Sequence, residues 1–312
     1  MTTTDRPTSS LPNEINVKQI FMALWSGKWL ILSISSLSAI AVVIYVLSIP
    51  NYYQSEALLA PATQQSASVS RNPLGQYSGL ASLAGIDITN QTANTAEAIK
   101  LATSLHFFEN SILPNMFLPN LMALKEWDQK NNKITYHDSI YDENSKKWVR
   151  KVSFPLKQIP SAQESYKVFL DHFSLEEDPE TGFVEISIEH QSPYVASKWL
   201  NLVIDGLNST MREDQKARSS RSIDYLNNQI SRTNLTEIKT AISSLIQKET
   251  QTLMTIEASD DYIFKSIDPP YIPELKSRPS RGLICILVTF LSGMLSSMYV
   301  LIRHYQYENE DL

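Results

Sequence analysis

Cysteine is all but missing from this chain. Its single copy, Cys285, lies inside an apolar run, so neither an intramolecular disulfide nor a cysteine-based zinc site can form. Long basic runs are missing too: none exceeds two residues, as in Lys146-Lys147, and the formal net charge is −6. A nucleic-acid partner, which calls for a clustered basic face, is not expected. Of the five histidines, His106, His137, His172, His190 and His304, no two stand at metal-ligand spacing. No Gly-Lys-Ser/Thr follows the glycines Gly75, Gly79 and Gly85, which excludes a phosphate-binding loop there. Nothing marks a nucleophile elbow. Glu176-Glu177-Asp178 gathers acids, but at a turn, where solvated charge is ordinary. No catalytic, cofactor-binding or metal-ligating residue is therefore expected. With 43% hydrophobic and 19% charged residues, the chain nevertheless has the balance of one that folds.

What the sequence does have is two apolar runs, residues 29–49 and 282–302, each of 21 residues without a charge. As helices each spans about 31 Å, enough for a hydrocarbon core of about 30 Å. The first holds twelve Leu, Ile and Val residues, which outweigh its five serines. Trp25 and Trp29 on one side of it, and Tyr52 and Tyr53 on the other, fit interfacial belts. A signal peptide is a poor fit, because the run is too long and no small-residue cleavage site follows. Arg6, Lys18 and Lys28 precede the first run, and no Lys or Arg occurs between Pro50 and Ser70. The N-terminus is therefore expected in the cytoplasm. Lys276, Arg278 and Arg281 lie against this rule, but they follow a long translocated segment. The expected layout is a cytoplasmic tail (1–28), a span (29–49), an extracytoplasmic domain (50–281), a span (282–302) and a second tail (303–312). A ten-residue tail leaves no place for a receptor's signalling domain.

Between the runs, residues 53–61 suggest a strand. Residues 62–95 suggest a mobile loop. Asn94 with Glu97 suggests a capped helix over 94–110. Residues 121–127 suggest a short helix, and 128–160 a turn-rich stretch anchored by Trp148 and Phe154. Ser161 with Glu164 opens a helix to about His172 whose Tyr166, Phe169, Leu170 and Phe173 make one buried face. Strands over 173–177 and 183–189 flank a turn, the second alternating with period two. Ser192-Pro193 starts a helix. From there to Ser259 no further proline occurs and Gly206 is the single glycine. A break near Asn234 divides this stretch. Ile223, Leu226 and Ile230 run along its first part, and Leu235, Ile238, Ile242 and Leu245 along its second. So narrow a stripe resembles a coiled-coil seam. It calls for an antiparallel partner or for copies of the chain, and these seven residues are the candidate oligomer seam. Tyr262 to Ile267 suggest a returning strand. Residues 268–279, spaced by prolines, suggest a stiff bridge to the second run.

Four segments together resemble the chain-length determinant (Wzz-type) family, polysaccharide co-polymerases of bacterial inner membranes. They are Leu24-Trp25-Ser26-Gly27-Lys28-Trp29, Tyr52-Tyr53-Gln54-Ser55-Glu56-Ala57-Leu58-Leu59-Ala60-Pro61, the passage from Thr181-Gly182-Phe183-Val184 to Glu189-His190-Gln191-Ser192-Pro193, and the proline-rich 268–279. The resemblance implies an α+β fold. Two transmembrane helices would flank a periplasmic domain with a small mixed base sheet and a long projecting helical hairpin. It also implies a ring-shaped homo-oligomer and a non-catalytic role without cofactors. That role is setting the modal length of O-antigen, with a separate inner-membrane polymerase and the growing lipid-linked polysaccharide as partners. Capsule or exopolysaccharide synthesis and export is the alternative. The chain lacks a Walker lysine motif, and Tyr305 and Tyr307 are too few for the tyrosine cluster of kinase-linked relatives, which favours the lipopolysaccharide branch.

Within the apolar runs, Ser292, Gly293, Ser296 and Ser297, and Ser35 with Ala39, form small-xxx-small spacings that permit close helix approach. They are candidates for packing the spans within a protomer or across a ring, against the alternative of small residues simply facing lipid.

Overall fold

The computed structural model describes residues 17–62, 88–258 and 261–310. In chain order its first elements are α1 (Val17–Ser26), α2 (Lys28–Ser48), β1 (Tyr53–Pro61), α3 (Ile88–Ala102), β2 (Leu124–Asp128), β3 (Lys133–Tyr136), β4 (Tyr141–Asp142) and β5 (Lys147–Trp148). There follow α4 (Ala162–Leu170), β6 (Phe173–Glu177), β7 (Val184–His190), α5 (Pro193–Arg232), α6 (Thr236–Ala258), β8 (Phe264–Asp268) and α7 (Arg281–Glu310). The chain divides into two units: Met1–Asn51 with Arg278–Leu312, and Tyr52–Ser277.

In the smaller unit the two uncharged runs become α2 and α7, both long and apolar enough to cross a membrane. They pack along one stripe each. On α2 the shielded positions include Ile31, Ser35, Ala39, Val42 and Val46, at steps of three and four. On α7 they include Cys285, Thr289, Ser292, Ser296 and Val300. The remaining faces stay apolar although exposed, as Leu37 and Phe290 show. Water would not tolerate such a surface, whereas hydrocarbon would. Several serines cost little, because they close a bond within their own helix: Ser33 to the Leu30 carbonyl at 2.9 Å and Ser292 to that of Thr289 at 2.8 Å. Gly27 separates α1 from α2, and a Cβ there would meet Val300 Cγ1 at 2.4 Å. Only glycine permits that approach.

The larger unit is built on a four-stranded sheet in the order β6-β7-β1-β8. All its pairings are antiparallel. Tyr53 faces His190, Ala57 faces Ile186 and Leu59 faces Val184. One face of β1 and β7 is thereby buried at every second residue, as the period-two pattern requires. Against this face lies the first half of α5, with Trp199, Leu200, Val203, Ile204, Leu207 and Met211 buried. Each such side chain contributes about 1.5–3 kcal/mol on leaving water. Phe107, Phe108 and Ile112 complete the core from a run of short helical turns. The β6–β7 turn needs its glycine: Gly182 sits at φ 69° while its N–H bonds the Asp178 carbonyl at 2.7 Å.

Beyond the core α5 continues. Its 40 residues span about 60 Å, and its second half packs against α6 after a break at residues 233–235. The two form a helical hairpin, with the break where Asn234 suggests it.

Several local expectations are corrected. The 94–110 helix instead starts at Ile88, because no proline or glycine interrupts residues 86–102. It ends at Ala102, where Ser104 accepts the Phe107 N–H at 3.1 Å and starts a new turn. The helix suggested over 121–127 is a helical turn, Pro119–Met122, followed by strand β2. Turn chemistry decides this. Asp128 accepts the Lys130 N–H at 2.9 Å, which folds β3 back onto β2. Trp148 is half-buried against Tyr141, whereas Phe154 anchors nothing and is 98% exposed. Helix α4 stops at Leu170, short of His172. The loop suggested over 62–95 lies mostly outside the described residues.

Candidate functional surfaces

The smaller unit brings the small-residue positions together. Gly293 of α7 lies against Ser35 of α2, with room for a Cβ at 3.6 Å from Ser35 Oγ. Ser296 is 3% exposed, and Ser292, Ser297 and Ala39 are half-buried. Both Ser296 and Ser297 donate to the Gly293 carbonyl, at 3.0 and 2.8 Å, so neither of these hydroxyls is left bare in an apolar setting. Beside this contact runs a groove of about 980 Å³, lined by Ile31 and Ser35 from α2 and by Cys285, Phe290 and Met294 from α7. At the other end of the pair the Arg281 guanidinium donates to the Ile49 carbonyl at 3.1 Å, fastening the start of α7 to the end of α2.

In the larger unit the seven seam residues divide. Ile242 is buried, and Ile223, Leu226 and Ile230 are half-buried where α5 meets α6. Leu235, Ile238 and Leu245 are not covered, at 65, 45 and 50% exposed. The hairpin thus covers part of the stripe by itself and leaves three of its positions open. Lys216 pairs with Glu257 across the hairpin. Arg218 Nη2 reaches both Asp214 on its own helix, at 2.6 Å, and Glu97 of α3, at 2.7 Å.

Two buried polar side chains, unmarked as such in the sequence, fasten the hairpin to the sheet. Asn208 occupies a core-facing turn of α5. Its Oδ1 accepts the N–H groups of Ile263 and Phe264 at 3.1 and 3.0 Å, and its amide donates to the Phe264 carbonyl at 3.1 Å. The returning chain is thereby clamped at the start of β8. The signal for this role is a lone amide inside an apolar helix stripe. His190 ends β7. Its Nδ1 accepts the Ser192 N–H at 2.9 Å, which leaves Nε2 to donate to the Asn120 carbonyl at 3.1 Å. Its ring meets Trp199 edge-on at 5.0 Å. Burial pushes its pKa down to about 4, so the ring is neutral and locked in one tautomer. No group of three or more His, Cys, Asp or Glu side chains suited to a metal occurs among the described residues.

In chain order, then, a helical hairpin on an antiparallel sheet stands between two long apolar helices. Residues 13–110 match the family model of the chain length determinant protein, Wzz. The match takes in α1, α2, β1 and α3, and so overlaps the first two segments on which the resemblance rests. No curated protein matches the chain. Among solved structures, a full-length bacterial polysaccharide co-polymerase is similar at 13% identity and TM-score 0.39, over 94% of this chain and 99% of that one. A fragment of WzzB, the polysaccharide co-polymerase from Salmonella Typhimurium, shares 12% identity at TM-score 0.28, over 73% of this chain and all of the fragment. A point mutant of the Shigella flexneri lipopolysaccharide O-antigen chain-length regulator also shares 12% identity, at TM-score 0.23 over 72% of this chain and 100% of that one.

Proposed function

We propose that this chain is a Wzz-type regulator of O-antigen chain length. The carrying observation is the chain length determinant match over residues 13–110, joined to a second apolar helix near the other end of the chain. In this reading α2 and α7 cross the inner membrane, both termini are cytoplasmic, and Tyr52–Ser277 is periplasmic. The protein does no bond chemistry. It assembles with copies of itself and scaffolds a polysaccharide polymerase and its growing lipid-linked product. The polar groups at its best-formed buried sites support this, because Asn208 and His190 spend their hydrogen bonds on backbone rather than pointing into a cleft.

The test is a gel of lipopolysaccharide from a strain lacking the protein beside its parent. Loss of the preferred band cluster with a random spread retained is the expected result. An unchanged ladder rejects the O-antigen role and moves the function to capsule or exopolysaccharide synthesis and export, to be read from the size distribution of that polymer.

A further inference from the structure

Between Glu143 and Glu164 the sequence carries five cations and no acid, in a chain whose net charge is −6. Counting contiguous basic residues misses this, because apolar residues are threaded between the charges. The fold turns the segment into a finger. Arg150 closes its base: the guanidinium donates to the carbonyls of Lys157 and Gln158 at 2.6 and 2.8 Å, and to the Glu164 carboxylate at 2.7 Å. Glu164 is itself fixed at the start of α4, whose first turn Ser161 caps. At the tip, the Leu156 N–H bonds the Ser153 carbonyl at 3.0 Å and makes a tight turn. Phe154 stands on that turn with 98% of its surface exposed.

Phe154 is not alone. Val152, Leu156 and Ile159 are exposed on the same short segment. Lys146, Lys147, Lys151 and Lys157, on the same stretch of chain, are exposed too. An ordered turn that holds an aromatic ring out in water loses free energy for as long as nothing covers the ring. Apolar tips interleaved with flexible lysines match one kind of surface well, the boundary between anionic headgroups and hydrocarbon. An acidic polymer would satisfy the lysines and leave Phe154 and Ile159 wet. A purely apolar partner would desolvate the lysines at a cost.

We propose that the finger at residues 146–159 docks on an anionic lipid bilayer, with Phe154 and its apolar neighbours entering the interface and the four lysines meeting lipid phosphates. The proposal rests on α2 and α7 crossing a bilayer, which gives the finger a membrane to meet. Tyr52 and Ser277, the first and last residues of the larger unit, are themselves joined by a 2.8 Å backbone hydrogen bond, so both chain ends leave that unit at one place.

The test uses the full chain with Phe154→Cys and Cys285→Ser, labelled with an environment-sensitive fluorophore and placed in nanodiscs. Discs of phosphatidylcholine alone are compared with discs that also contain phosphatidylglycerol. The expected result is quenching by lipid-borne nitroxide and protection from iodide, stronger with phosphatidylglycerol. Changing Lys146, Lys147, Lys151 and Lys157 together to Gln should largely abolish that difference. A probe quenched by iodide and untouched by lipid nitroxide in both discs overturns the proposal. A probe shielded from both quenchers also overturns it, by showing the finger buried against a second copy or another protein. Recovery of the chain with the discs reads the spans separately, and a chain that does not enter them overturns both readings.

Discussion

Asn208 is where a single side chain decides how the larger unit closes. Three backbone groups of residues 263 and 264 depend on it, and it is 8% exposed. Asn208→Leu leaves those groups buried without partners, so a loss of about 2–3 kcal/mol in unfolding stability is expected from denaturant titration. Asn208→Asp keeps the acceptor and should lose less if its carboxyl protonates. His190 makes a different prediction, because its folded pKa of about 4 lies below its ordinary 6.5. The unfolded chain binds the proton more readily, so the stabilisation is complete above pH 6.5 and is lost as pH falls through 4. The effect amounts to at most about 3 kcal/mol. Thermal melts across that window should slope more steeply for the native chain than for His190→Gln. Equal slopes would mean that the ring is accessible to protons in the folded state.

Helix pairing is the issue at the scale of elements. Gly293 has ordinary contact space for one carbon, with Ser35 Oγ at 3.6 Å. Gly293→Ala should therefore be tolerated, whereas Gly293→Leu must push α2 and α7 apart. The expected outcome is an altered lipopolysaccharide band cluster for Leu and a native one for Ala. An unchanged ladder with an intact oligomer for Leu would place the glycine in a face that simply meets lipid. The helix periods, the Ser161 cap and the β6–β7 hairpin were legible, because each depends on residues within a turn or two. The β2–β3 hairpin was not. Residues 121–127 carry a helix-like spacing, and the Asp128 turn that overrides it becomes decisive only once a partner strand is present. Phe154 misled for a related reason. An aromatic in a polar stretch suggests an anchor, but the Arg150 clasp carries it outward.

For the whole molecule, the hairpin leaves a question of assembly. Leu235, Ile238 and Leu245 stay exposed although they belong to a stripe whose other positions are covered. Replacing these three by Ser removes apolar surface that the folded chain does not bury, so its melting temperature should change little. If the proposed oligomer uses this seam, the variant should elute as a smaller species in size-exclusion chromatography with light scattering, and the lipopolysaccharide ladder should lose its modal cluster. An oligomer of native size would move the interface elsewhere.

Composition and periodicity alone determined the apolar helices, the long helices with their break at Asn234, and the strands of the base, because burial and backbone hydrogen bonding leave a chain of this pattern few other local solutions. The tertiary structure decided what depends on distant partners meeting. It showed that the sheet is antiparallel throughout, which seam residues the hairpin covers, and that Asn208 and His190 fasten it. It also showed that Arg150 clasps the chain at residues 157, 158 and 164 and that Phe154, on the segment between, stands exposed. None of these can be read along the chain, since each depends on residues that only folding brings within a few ångströms.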